Sequence, residues 1–131
     1  MTSELINSKL TSVLHFQGHL ASVTDSNTNS FVQSLSTGDS VWIGGFRKED
    51  GKDIWGWTDG SAWGFTNWRK GEPNDHSGIE DYVIMNWGNP GLWNDGPIGS
   101  KYGFICQYNT LKELGEFICI LGCKKTLILQ I

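Results

Sequence analysis

Cysteine is scarce in this chain of 131 residues. There are three, an odd number, so at least one thiol stands outside any intramolecular pairing. Cys119-x-x-x-Cys123 lacks the other half of a zinc site and reads as plain tail. Clusters of Lys and Arg are absent and the net charge is −4. Nucleic acid is thereby excluded as a partner, because its phosphates require a basic footprint. No apolar run reaches the roughly 18 residues that suggest a membrane span; the apolar pieces around Phe117 to Leu121 and Leu127 to Leu129 are separated by Lys124 and Lys125. Met1 to Leu5 shows neither a basic n-region nor a following apolar h-region, so no secretory signal peptide is expected. An Asn-x-Ser/Thr glycosylation acceptor is missing too.

What is present is aromatic and loop-forming. With 38% hydrophobic residues, seven Trp and six Phe, the chain has room for one domain around an aromatic core. Seventeen glycines interspersed with Trp, Asp and Asn indicate tight turns more than long helices. Ile6, Leu10, Val13 and Leu14 fall near helical spacing over Glu4 to Leu14. His19 to Val23 reads as a strand, and Asp25 to Leu35 as a second helix capped by Asp25 or Thr24, with Phe31, Val32 and Leu35 inward. Val41 to Gly45 reads as a buried strand. From Arg47 to Gly99 the pattern is irregular except for a strand over Asp81 to Trp87 and short strands near Leu92 to Asn94. Tyr102 to Gln107 closes the sheet. So long an irregular stretch counts against a compact domain unless it is functional.

A function for it is written in the oxygen donors. Glu72-Pro73-Asn74, Glu80-Asp81 and Trp93-Asn94-Asp95 supply carboxylates and amides with no competing thiolate. A hard cation such as Ca²⁺ takes such ligands. Carboxylates only accept hydrogen bonds, whereas Asn amides also donate. A sugar hydroxyl placed among Glu72, Asn74, Glu80, Asn94 and Asp95 can therefore give a lone pair to the ion, donate to a carboxylate and accept from an amide. Glu72, Glu80 and Asp95 repel one another when no ion is bound, so the site is expected to order on filling.

Gly71 to Asp81, GEPNDHSGIED, resembles the long-loop calcium and sugar motif of the C-type lectins in its mannose-type EPN form. Gly18-His19-Leu20-Ala21-Ser22, Trp42-Ile43-Gly44, Trp57-Thr58-Asp59-Gly60-Ser61, Phe65-Thr66-Asn67-Trp68 and Phe104-Ile105-Cys106 are similar to further motifs of that family, in the family's order. The resemblance implies an α+β C-type lectin-like fold of two helices and two small antiparallel sheets with a long calcium-binding loop. It implies a carbohydrate-recognition domain over residues 1–107, truncated at its N-terminus and lacking the first strand, and an unmatched tail over 108–131. Without that strand the closing strand near Phe104 would have an unpaired edge, onto which Thr126 to Gln130 could fold back.

The same resemblance implies that Glu72, Asn74, Glu80, Asn94 and Asp95 ligate both Ca²⁺ and sugar, with the Glu72–Pro73 bond cis. The implied partners are glycans with vicinal equatorial hydroxyls, as in mannose, fucose or N-acetylglucosamine, bound without catalysis, and oligomers would add avidity. A second calcium site would use Asp75, Glu80 and Asp81 together with acids after the WIG strand. That loop begins Phe46-Arg47-Lys48 here, leaving Glu49, Asp50 or Asp53 as substitutes. The family also implies an extracellular, innate-immune setting. It further implies two disulfides, of which only Cys106 keeps its position; the others fall on Val13, Tyr82 and Ile98, apolar or aromatic residues expected to pack where sulfurs would sit. Trp42, Trp55, Trp57, Trp68, Trp87 and Trp93 are assigned to the core, while Trp63 or His76 could touch a sugar ring. Alternatives are a domain of this fold that binds protein or another surface, an inactive truncated fragment, and a glycosidase using Glu72 and Glu80 as paired carboxylates.

Overall fold

The computed structural model describes residues 18–108. The helix expected over Glu4 to Leu14, Val13, and the tail pairing proposed for Thr126 to Gln130 lie outside them. Asp25 is extended and its carboxylate accepts a hydrogen bond from the Thr28 N–H at 2.6 Å. That cap satisfies an orphan donor and starts helix α1, Ser26–Leu35. Val32 is fully buried and Leu35 packs on the core. Phe31 is 42% exposed, so its expected inward position is corrected: it lies one step round the helix from Val32 and points to solvent.

The strands are β1 (Gly18–Leu20), β2 (Val41–Arg47), β3 (Trp55–Trp57), β4 (Tyr82–Met85), β5 (Trp93–Gly96), β6 (Gly103–Phe104) and β7 (Cys106–Tyr108). They form two sheets. β1 pairs antiparallel with β7, and β3-β2-β4-β5 run antiparallel while β6 lies parallel to β2. The closing segment is thus split. Gly103 and Phe104 pair with Val41 and Trp42, and Cys106 to Tyr108 pair with β1. β3 was not expected, since three residues reading Trp-Gly-Trp are too short for a period-two pattern.

Between the sheets lies the core of Ala21, Val23, Val32, Val41, Ile43, Trp55, Trp57, Val83, Met85, Trp93 and Ile105. Trp93 is at its centre with no exposed surface. Its ring meets Trp57 and Trp68 edge-on, each at 5.7 Å between centroids, and Phe65 at 5.8 Å. Its Nε1–H donates to Asn29 Oδ1 at 2.8 Å, so α1 is tied to β5 by a buried bond. Trp63 stacks on Trp55 and leans on Trp57, which places it in this cluster as partly buried packing. Close approach fixes one glycine: a Cβ on Gly44 would sit 2.5 Å from the Leu20 carbonyl oxygen. Two family cysteine positions behave differently from each other. Tyr82 stands edge-on to Trp42 at 6.4 Å yet is 38% exposed, whereas Ile98 is 76% exposed and does not fill the space of a sulfur.

Candidate functional site

β5 forms one wall of the site, because its pairing with β4 sets Asn94 opposite Ile84 and Asp95 opposite Val83. Both residues are buried, Asp95 completely. The other wall is the loop from Gly71 to Asp81. Gly71 enters it at φ +93°, a conformation that a side chain would strain. The Glu72–Pro73 bond is cis. Asp75 and Ser77 both have positive φ, and the turn His76–Gly78 is a single irregular 3₁₀ turn.

Backbone amides stitch the loop to β5 and to itself. Asn74 N–H donates to Asp95 Oδ1 at 3.1 Å and Asp75 N–H to Asp95 Oδ2 at 2.8 Å. His76 N–H lies between Asn74 Oδ1, at 3.0 Å, and Glu80 Oε2, at 2.9 Å. Glu80 N–H donates to Asp75 Oδ1 at 3.1 Å. Glu72 is close enough to Asp95 and Glu80 for their charges to act on its carboxyl. Glu72, Asn74, Glu80 and Asp95 are therefore brought together, with Asn94 next to Asp95 on the strand.

Two buried oxygens in this cluster have no donor: Glu72 Oε2 and Asn94 Oδ1. An acceptor buried without a partner costs about 1–3 kcal/mol, more if charged. Burial, then the charges of Asp95 and Glu80, push the Glu72 carboxyl above its ordinary range, and Arg69 opposes them. Unpaired oxygens and crowded negative charge are what a hard cation relieves. Among the described residues no three His, Cys, Asp or Glu side chains alone form a metal-holding group. Asn74 and Asn94 would have to complete the shell.

Each acid named for a second ion has one carboxylate oxygen already in use, Glu80 through the His76 N–H. Asp75 Oδ1 accepts from Glu80 N–H, and Asp81 Oδ1 pairs with Arg47 Nε at 3.2 Å. Of the substitutes, Glu49 pairs with Lys52 and Asp53 Oδ1 accepts the Trp55 indole N–H. Arg47 is the residue that sequence reasoning missed. It registers only as a basic residue where acids were sought, although it ends a buried strand facing an acid-rich loop. His76 is exposed, and its backbone N–H, not its ring, makes the bonds within the loop.

The family model described as Lectin C-type domain matches residues 14–108. A relative named Lectin, from Pleurodeles waltl, is 38% identical over 98 residues, covering 70% of this chain and 56% of that protein. The chain spans about half the length of the curated relatives it matches. Among solved structures, the C-type lectin CEL-I from Cucumaria echinata superposes with a TM-score of 0.62 at 30% identity, covering 71% of this chain and 69% of that one. A calcium-independent type II antifreeze protein superposes with a TM-score of 0.58 at 27% identity, covering 78% and 74%.

Proposed function

The chain belongs to the C-type lectin domain family, and on that premise we propose that it binds glycans of the mannose, fucose or N-acetylglucosamine type through one Ca²⁺. The family makes it a carbohydrate-binding domain of the lectin class, and a binding protein, not an enzyme. The residues that would hold the ion are Glu72, Asn74, Glu80, Asn94 and Asp95. When bound, the ion supplies open coordination positions to adjacent sugar hydroxyls. The protein supplies the rest: Glu72 and Glu80 accept hydroxyl protons, and the NH₂ groups of Asn74 and Asn94 donate to hydroxyl oxygens.

The observation that carries this reading is the pair of buried, donorless oxygens, Glu72 Oε2 and Asn94 Oδ1, within a cluster of hard oxygen ligands. Calorimetric titration with Ca²⁺, followed by methyl mannoside and methyl galactoside, tests it. Ion-dependent heat is expected, with mannoside bound and galactoside not. Asn94→Asp keeps an oxygen for the ion but removes the amide donor, so Ca²⁺ heat should persist while mannoside heat disappears. Absence of ion-dependent heat, or preference for galactoside, overturns the assignment. A calcium-independent surface-binding role is the second reading, favoured by the likeness to the calcium-independent antifreeze protein; ligand binding that survives EDTA would establish it.

A further inference from the structure

Arg47 ends β2 with its side chain only 4% exposed, beneath the loop that carries Glu72 to Asp81. The guanidinium stacks on the Trp55 ring at 4.5 Å. Each of its nitrogens has acceptors. Nε pairs with Asp81 Oδ1 at 3.2 Å and lies 3.4 Å from the Glu80 carbonyl. Nη2 donates to that same carbonyl at 3.0 Å and to Asp95 Oδ2 at 3.0 Å. Nη1 donates to the Lys52 carbonyl at 2.7 Å. The Arg47 backbone N–H adds a bond to the Asp81 carbonyl at 2.8 Å.

We infer that Arg47 is the built-in cation of this loop, a positioning residue that fixes Asp81, Asp95 and the Glu80 backbone without a second metal ion. The ion-related part of this inference rests on the calcium reading above. The rigid planar fork can serve carboxylate and carbonyl oxygens at once, which a point charge on a flexible stem cannot do as well. Its charge lies among acids that would otherwise repel, and burial against Trp55 protects it from screening. Asp95 Oδ2 is taken by Arg47 and Asp75 N–H, so Asp95 can offer an ion only Oδ1. Two consequences follow for the chain: it takes a single Ca²⁺, and its loop is ordered before that ion arrives. The second departs from the expectation that the site orders on filling.

Amide hydrogen exchange of the whole chain in EDTA and in Ca²⁺, with calorimetric stoichiometry, tests this on wild type, Arg47→Gln and Arg47→Lys. In wild type the amides of Asn74, Asp75 and Glu80 should be protected in EDTA, and one Ca²⁺ should bind. Arg47→Gln should lose about tenfold or more of that EDTA protection, with Val83 and Ile84 of β4 still protected as a control for folding. Ca²⁺ should restore it with weakened affinity. Arg47→Lys should fall between the two and decides the matter if Arg47→Gln does not fold. Unprotected loop amides in wild-type EDTA samples, equal protection in wild type and both variants, or two ions per chain would overturn the inference. If wild type binds no Ca²⁺ yet loses loop protection on Arg47→Gln, the positioning role stands and the calcium reading falls. If it binds one Ca²⁺ and the loop is indifferent to Arg47, the reverse holds.

Discussion

Asp59 illustrates how much one side chain carries in this domain. Its Oδ2 accepts from the hydroxyls of Ser22 at 2.8 Å and Ser61 at 2.9 Å and from Gln107 Nε2 at 3.3 Å, while Oδ1 takes the Ser61 N–H at 2.9 Å. The segment after β1, the turn after β3 and strand β7 thus meet on one carboxylate. Burial works to raise its pKa, but the Ser61 N–H, the two serine hydroxyls and nearby His19 together hold it below the ordinary value of 3.8. The folded state therefore prefers the ionised form. Its stabilising contribution is present above the unfolded-state pKa and is lost as pH falls through the folded one. Asp59→Asn turns an acceptor partly into a donor facing donors. It should cost about 1 kcal/mol at neutral pH and flatten the acid limb of stability below the ordinary carboxylate pKa; thermal melts from neutral pH downward measure both. An unchanged acid limb would show that this carboxylate is not a contributor. Arg47 belongs to the same scale for a different reason. A basic residue among expected acids looks like a missing ligand in one dimension, and only the folded chain shows that it supplies the positive charge itself.

Elements position these residues because their approach leaves no slack. Gly44 of β2 donates to the Ala21 carbonyl at 2.8 Å, so the chain leaving β1 lies directly against β2. Since an added Cβ would meet backbone and not a flexible side-chain end, relief requires moving one strand. Gly44→Ala should cost about 1–3 kcal/mol, read as a lower urea midpoint with an unchanged slope. A midpoint within error of wild type would mean that the two segments separate cheaply. Much at this scale was legible in the amino acids. The cap at Asp25, the helix after it and the Val41 strand follow local rules of capping and alternation, and the structure bears them out. β3 was not legible, because three residues reading Trp-Gly-Trp carry too little pattern, and they join the sheet only by pairing back onto Gly45, Phe46 and Arg47 of the preceding strand. Phe31 was misread because helical spacing gives an apolar arc, while the width of the buried stripe depends on what packs opposite. Ile98 was misread for a related reason: an apolar residue at a family sulfur position need not be covered once the cross-link that drew its loop inward is absent.

For the whole molecule, core and candidate site are one mechanical unit, because the strand that carries Asn94 and Asp95 begins with Trp93. That indole is packed among Trp57, Trp63, Trp68 and Phe65 and bonded to Asn29 of α1, so it sets where the next two side chains emerge. The Trp68 and Trp93 backbones also bridge directly, and Arg69 N–H donates to the Trp93 carbonyl at 2.9 Å, which ties the approach to the Gly71 to Asp81 loop to the same residue. Trp93→Ala should therefore cost about 3–5 kcal/mol, a large share of the roughly 5–15 kcal/mol that such domains possess. It should also weaken Ca²⁺ binding although no ligand is altered. Trp93→Phe keeps most of the apolar volume but leaves Asn29 Oδ1 without its donor, and should lose less of both. Because an ion that binds only the folded state stabilises it by mass action, saturating Ca²⁺ should raise the melting temperature of each variant, by less in Trp93→Ala than in wild type. Calorimetric affinities and melts at matched Ca²⁺ supply the comparison. Stability lost with ion affinity intact would mean that β5 holds its ligands in place without the aromatic cluster behind it.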